Sequence, residues 1–191
     1  TAVPLRRQSG SNLLIVGQQE EAAMATLAAA AISIAAQTGR EEASFHVFDG
    51  SPADSPLART FPHLQTVLPQ RMRLVEYREV AEAMKELWDE LQRRLSAGVT
   101  NPPGVYVLIY GLQRYRALRR SEDAFSFSSG TSDAAPAPGR QFAGLLREGP
   151  NLGIHVLAWC DTPASVERTL DRSGLREFDY RVLFQMSASD S

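Results

Sequence analysis

The chain is poor in several kinds of residue, and each shortage excludes something. Its one cysteine, Cys160, rules out an internal disulfide and fits a reducing compartment. Cys160 also has no His/Asn pattern around it of the kind a catalytic thiol needs. The three histidines, His46, His63 and His155, lie far apart, with no cysteine or carboxylate at ligand spacing, so a metal centre is not expected. No apolar run reaches the ~20 residues of a membrane-spanning helix. Positive charge is not in excess: the net charge is -2, so nucleic-acid binding would need a local basic patch. There is no internal repeat, no initiator methionine and no signal peptide. The last residues, Ser189-Asp190-Ser191, directly follow a strand-like run, and the chain reads as a piece of something longer.

What is present is enough for one globular domain: 191 residues, 43% of them hydrophobic. Residues 1 to 12 are a polar lead-in with room for a short strand. Leu13–Val16, Phe45–Phe48, Val105–Tyr110, Ile154–Trp159 and Tyr180–Met186 are strand signals, apolar and rich in β-branched residues. Short strands are expected at Thr66–Leu68 and Met72–Glu76, after a loop holding Pro52, Pro56 and Pro62. Helices are expected over Gln19–Gln37, Arg78–Ala97, 112–120, Arg140–Glu148 and from Pro163 to about Arg172. In the second of these, Val80, Met84, Leu87, Leu91 and Leu95 recur at helical spacing, and Gly98 ends it. Residues 121–139, rich in Ser, Gly, Pro and Asp, are expected to be a mobile loop, with Phe125 and Phe127 able to pin one end. Strands alternating with helices imply an α/β fold built on a mostly parallel sheet.

The first strand leads into a frame that has lost its chemistry. A phosphate-binding loop follows the pattern G-x-x-x-x-G-K-[ST]. Here Gly17 takes the first position and Gln18, Gln19, Glu20 and Glu21 the next four. Ala22 stands at the second glycine, Ala23 at the lysine and Met24 at the hydroxyl that would hold Mg²⁺. An alanine brings a Cβ to a position where the backbone must approach phosphate. Nothing replaces the lost positive charge, and a carboxylate ~4 Å from a phosphate costs about 4 kcal/mol at an effective dielectric near 20. Glu20 and Glu21 are also ordinary acids for the first turn of a helix, and a carboxylate there can itself take the anion position. Either reading predicts that ATP is not bound.

The order of several segments resembles the motor domain of the FtsK/SpoIIIE family and the related EccC-like ATPase domains of type VII secretion. The segments are Ser11–Gly17, Phe45–Asp49, Phe61-Pro62-His63-Leu64, Val105–Gly111 and the run Leu145 to Ala158 with its Gly153-Ile154-His155 turn, followed by Arg181–Ser187. The resemblance spans nearly the whole chain. It implies a three-layer α/β sandwich of the RecA-like, P-loop NTPase type forming a single domain over residues 1–191. At the level of the family it also implies ATP, Mg²⁺ and DNA translocation, as in chromosome segregation and cell division. The active residues of that family do not carry over. The loop lysine and hydroxyl of its Walker A motif fall on Ala23 and Met24, the acidic Walker B pair on Tyr110 and Gly111, and the polar sensor near Trp159 and Cys160.

The favoured reading from sequence is a pseudo-ATPase module of an FtsK/SpoIIIE-like DNA translocase, with no catalytic residue, metal or cofactor of its own. It would partner other motor domains of the same chain or ring, in the cytoplasm, within a parent that could be membrane-tethered. An alternative is a substrate- or partner-binding module of an EccC-like secretion motor, and a third is an active DNA-dependent ATPase with an atypical loop. Arg114, Arg116, Arg119 and Arg120 are a candidate contact with DNA phosphates or a neighbouring subunit, Arg116, Arg119 and Arg120 sharing one helical face. A solvated helix, balanced by Glu122 and Asp123, explains them equally. Asp49, at a strand end, is read as a ligand contact or a turn cap, Asp161-Thr162-Pro163 as a helix cap, and His155 as a hydrogen-bonded core histidine.

Overall fold

The computed structural model describes residues 4–98, 100–119 and 136–185. Six parallel strands make one sheet: β1 (Leu13–Val16), β2 (Ala43–Asp49), β3 (Arg71–Val75), β4 (Gly104–Tyr110), β5 (Ile154–Cys160) and β6 (Tyr180–Leu183). Their order across the sheet is β3-β2-β4-β5-β1-β6, and every neighbouring pair is parallel. Every residue of β1 and β5 is buried, as continuous apolar runs require when both faces of a sheet are covered.

Helices cover the two faces. On one face α1 (Glu20–Gln37) and α2 (Thr60–Val67) pack through Ala23, Met24, Leu27, Ala31, Ala35, Phe61 and Leu64 onto Leu13, Ile15, Phe45, Val47, Leu108 and Leu157. On the other face lie α3 (Val80–Ala97), α4 (Pro138–Glu148) and α5 (Pro163–Thr169), over Leu14, Val16, Val107, Ile109, Val156 and Ala158. The short α6 (Arg172–Arg176) follows α5. Helices α3 and α4 touch closely because position 144 is glycine: a Cβ there would stand 2.4 Å from the Trp88 ring. The result is the expected three-layer α/β sandwich.

Polar side chains fasten the amino ends of the strands. Asn12 is buried and donates to the carbonyls of Leu146 (3.0 Å) and Glu177 (2.8 Å) while accepting from the Val156 amide (2.8 Å). His155 is the hydrogen-bonded core histidine expected, with Nδ1 2.8 Å from the Ser11 carbonyl. Arg94, also buried, meets Glu90 and donates to the carbonyls of Leu152 and Pro103.

Several elements differ from the sequence expectation. Thr66 and Val67 end a helix, α2, and are not a strand; Pro62 is accommodated in its first turn, where no amide donor is needed. Residues 112–119 do not form one helix. They make two 3₁₀ turns, Leu112–Arg114 and Arg116–Leu118, separated by the non-helical backbone of Tyr115. The helix expected to reach Arg172 stops at Thr169, and Asp171 caps a new one by accepting from the Gly174 amide at 2.6 Å. No strand occurs among the described residues of the lead-in. Of the loop expected over 121–139, residues 121–135, with Phe125 and Phe127, lie outside the described residues, and Pro138 and Gly139 already belong to α4. Arg120 and Met186 also lie outside them.

Candidate functional site

In a parallel sheet of this type ligands bind beyond the carboxyl ends of the strands. That edge is formed here by Val16, Asp49, Tyr110 and Cys160, with the start of α1 above it. Between β1 and α1 only Gly17, Gln18 and Gln19 intervene. The helix therefore begins at the fourth position of the phosphate-loop pattern, and Glu20 to Met24 are already helical. Ala23 and Met24 do not face the edge at all: they are 0% and 2% exposed and pack down onto the sheet.

On the side of β4 and β5 the space beside the short loop is filled by the protein's own side chains, while on the side of Ser55–Leu57 an open cleft of about 560 Å³ borders Gln18–Ala22. Register places Tyr110 opposite Trp159 on β4 and β5, and their rings stack with centroids 4.5 Å apart. Trp159 Nε1–H donates to the Gly17 carbonyl at 2.8 Å, and the Tyr110 hydroxyl donates to the Glu20 carbonyl at 3.3 Å. Gly17 itself has φ +142°, and a Cβ there would stand 2.7 Å from Cβ of Phe184, so a side chain at this turn is excluded on two counts. Burial, reinforced by the nearby Glu20 carboxylate, pushes the Tyr110 phenol up to about 12.

Arg114 completes the arrangement. One guanidinium nitrogen lies 3.0 Å from Glu20 Oε1, the other donates to the Gly50 carbonyl, and Cζ sits 6.0 Å from the Trp159 ring centroid. Its backbone carbonyl accepts from the Tyr77 hydroxyl at 3.4 Å. One residue thus ties the ends of β2, β4 and β5 to the start of α1.

The expected site residues separate accordingly. Gly17, Gln18, Gln19, Glu20, Tyr110, Gly111 and Arg114 converge on the edge, while Ala23 and Met24 belong to the core. The arginine group is divided as well. Arg114 faces the loop, Arg116 is exposed, and Arg119 is half-buried, with Nη2 donating to the Gln113 carbonyl at 2.9 Å. Arg116 and Arg119 share no helical face. Asp49 caps its own turn by accepting from the Ser51 amide at 2.9 Å, and Thr162 caps α5 by accepting from the Ser165 amide at 3.2 Å. Cys160 is buried, with its thiol pushed up to about 12 by burial and by Asp161, so it is held as an inert thiol. No group of three His, Cys, Asp or Glu among the described residues is placed to hold a metal ion.

Comparison with solved structures places the architecture. The fold is that of RecA-like ATPase domains. The chain superposes on the cytoplasmic domain of the Thermomonospora curvata type VII secretion ATPase EccC with TM-score 0.65 at 11% identity, covering 94% of this chain and 20% of that one. It matches EssC (ATPases 2 and 3) from Geobacillus thermodenitrificans with TM-score 0.63 at 14% identity, covering 94% and 33%. A structure of T. curvata EccC ATPases 2 and 3 in complex with a signal sequence peptide matches with TM-score 0.59 at 13% identity, covering 86% and 27%. The chain therefore spans between a fifth and about a third of these neighbours. No family model matches it, and no curated protein does.

The residues at the edge do not fit Mg-ATP. No lysine reaches the loop, no hydroxyl stands at Met24, and Tyr110 and Gly111 offer the ion no carboxylate. The stacked Tyr110 and Trp159 lie against the backbone that would have to open. Sequence reasoning named Arg114 as a DNA or subunit contact and put a lost sensor near Trp159, but missed that the two close this edge from within. Two glutamates at a helix start, with no lysine to oppose them, were the signal that a cation must come from elsewhere.

Proposed function

We propose that this chain is a pseudo-ATPase module of an EccC-like secretion motor, one that contributes to assembly or regulation and does not hydrolyse nucleotide. The observation that carries the reading is the self-filled edge: Trp159 bonded to Gly17, Tyr110 stacked on Trp159, and Arg114 paired with Glu20. Phosphoryl transfer depends on positioned charge, and here the positioned charges are spent on each other. Of the two kinds of motor the sequence resembles, the solved neighbours support the secretion type. Its partners are other ATPase domains of the same chain or ring, and its place is the cytoplasm; no helix among the described residues is long and apolar enough to cross a membrane. DNA binding through Arg116 and Arg119 is weak in this reading, because Arg114 is engaged and the rest of the group is not aligned. The test is phosphate release from Mg-ATP by the purified chain. Release at the buffer background is expected, and sustained turnover overturns the proposal in favour of an active ATPase.

A second role on the same domain is favoured by one observation. An apolar cleft of about 300 Å³ opens between α4 and α6, lined by Phe142, Ala143, Leu146, Leu118 and Leu170. One of the neighbours was solved with a signal sequence peptide. A domain that no longer hydrolyses can still receive such a segment through an apolar groove. Fluorescence anisotropy of a labelled signal-sequence peptide, with wild type and a variant at the exposed cleft residue, Ala143→Asp, tests it: saturable binding lost in the folded variant supports the role, and no binding removes it.

A further inference from the structure

Glu20 and Arg114 form a pair whose chemistry goes beyond blocking a ligand. Glu20 is the first residue of α1, so its carboxylate sits at the positive end of the helix dipole. Arg114 arrives from 94 residues away in sequence and places a guanidinium nitrogen 3.0 Å from Oε1. The same guanidinium holds the Gly50 carbonyl after β2 and lies over the Trp159 ring at the end of β5. A helix start, a cation and an anion are what a phosphate site uses to join these elements, and in this chain the anion is covalently attached.

We propose that Glu20 is a built-in substitute for a bound anion. Paired with Arg114, its carboxylate holds the carboxyl edges of β2, β4 and β5 against the start of α1, and the domain is kept in a liganded-like arrangement with no ligand. This rests on the pseudo-ATPase reading of the same edge. It follows that neutralising the carboxylate leaves a guanidinium and a helix start without their anion, at a partly exposed place that an external anion can reach. Removing the guanidinium leaves nothing that recognises an anion. The two side chains are 31% (Arg114) and 44% (Glu20) exposed, so neither replacement opens the core.

The experiment is thermal unfolding of the whole chain as wild type, Glu20→Gln, Glu20→Asp and Arg114→Ala, with ~10 mM inorganic pyrophosphate against sodium chloride of matched ionic strength. Pyrophosphate is expected to raise the Tm of Glu20→Gln by about 3–5 °C, the shift given by millimolar binding in a domain of this size. Wild type, Glu20→Asp and Arg114→Ala are expected to stay unchanged. The absence of a shift in Glu20→Gln, or an equal shift in all four proteins, overturns the proposal. Either of those results leaves the pseudo-ATPase reading standing, whereas nucleotide turnover by the wild type removes that reading instead.

Discussion

Reinstating the missing phosphate-loop residues is the obvious way to try to revive this domain, and the structure predicts that it will destabilise it severely. The replacement is Ala23→Lys with Met24→Thr. Ala23 is 0% exposed and packs in a cluster with Leu13, Ile15, Leu27 and Phe45. A lysine there overfills the space, at about 1–3 kcal/mol, and brings an ammonium into apolar surroundings, at several kcal/mol after relaxation. Met24→Thr removes roughly two buried methylene equivalents, at ~0.8 kcal/mol each, and leaves part of a cavity. The new hydroxyl has a place to bond, since Thr26 in the same helix donates to the Ala22 carbonyl at 2.7 Å, so its polar penalty is small. The sum is about 5–8 kcal/mol, against the roughly 5–15 kcal/mol that holds a domain of ordinary stability. Urea unfolding followed by circular dichroism measures it, with Ala23→Met as the control that adds volume without charge. The double variant should lose most of its stability, with a urea midpoint far below the parent's, and the control should be only modestly weakened. A double variant with the midpoint of the parent, or one that turns over ATP, would refute the placement of Ala23 and Met24 in the core.

Asn12→Ala should cost about 2–4 kcal/mol in urea unfolding, because it strands the Leu146 and Glu177 carbonyls and the Val156 amide in buried surroundings; a loss under ~0.5 kcal/mol would mean those groups find other partners. His46 is held down to about 4, first by burial and then by Arg73 and Arg71, against about 6.5 in the unfolded chain. Between those values the unfolded chain binds a proton that the fold refuses. The stability present above pH 6.5 should therefore fall by roughly 3 kcal/mol as the pH drops to 4, and His46→Phe should remove that part of the slope. Gly17→Ala should lower the Tm by several degrees, since it combines a left-handed φ with a clash against Phe184; an unchanged Tm would show that β6 can move away.

How far the sequence could be read depended on the range of each interaction. Continuous apolar runs such as Leu13–Val16 and Ile154–Cys160 declare strands buried on both faces, and an alternating order of strands and helices then implies a parallel sheet. Helix α2 was hidden because Pro56 and Pro62 suggested a loop. The spacing of Phe61 and Leu64, three residues apart and both buried, was the sign of a helix that tolerates proline in its first turn. At the site, the absent lysine, hydroxyl and acidic pair were legible from position alone. The short loop was legible too: the helix expected from Gln19 begins at Glu20, one residue later. The roles of Trp159 and Arg114 at this edge were beyond reach for a different reason. Their roles come from strand register and from a contact spanning 94 residues, neither of which leaves a local pattern.

Isothermal titration of the wild-type chain with Mg-ATP tests the central claim most directly. A carboxyl edge filled by Tyr110, Trp159, Arg114 and Glu20 predicts no heat of binding beyond dilution at millimolar nucleotide. Binding in the micromolar range, abolished when Gly17 or Arg114 is replaced, would contradict it, because this edge would then have to open for nucleotide.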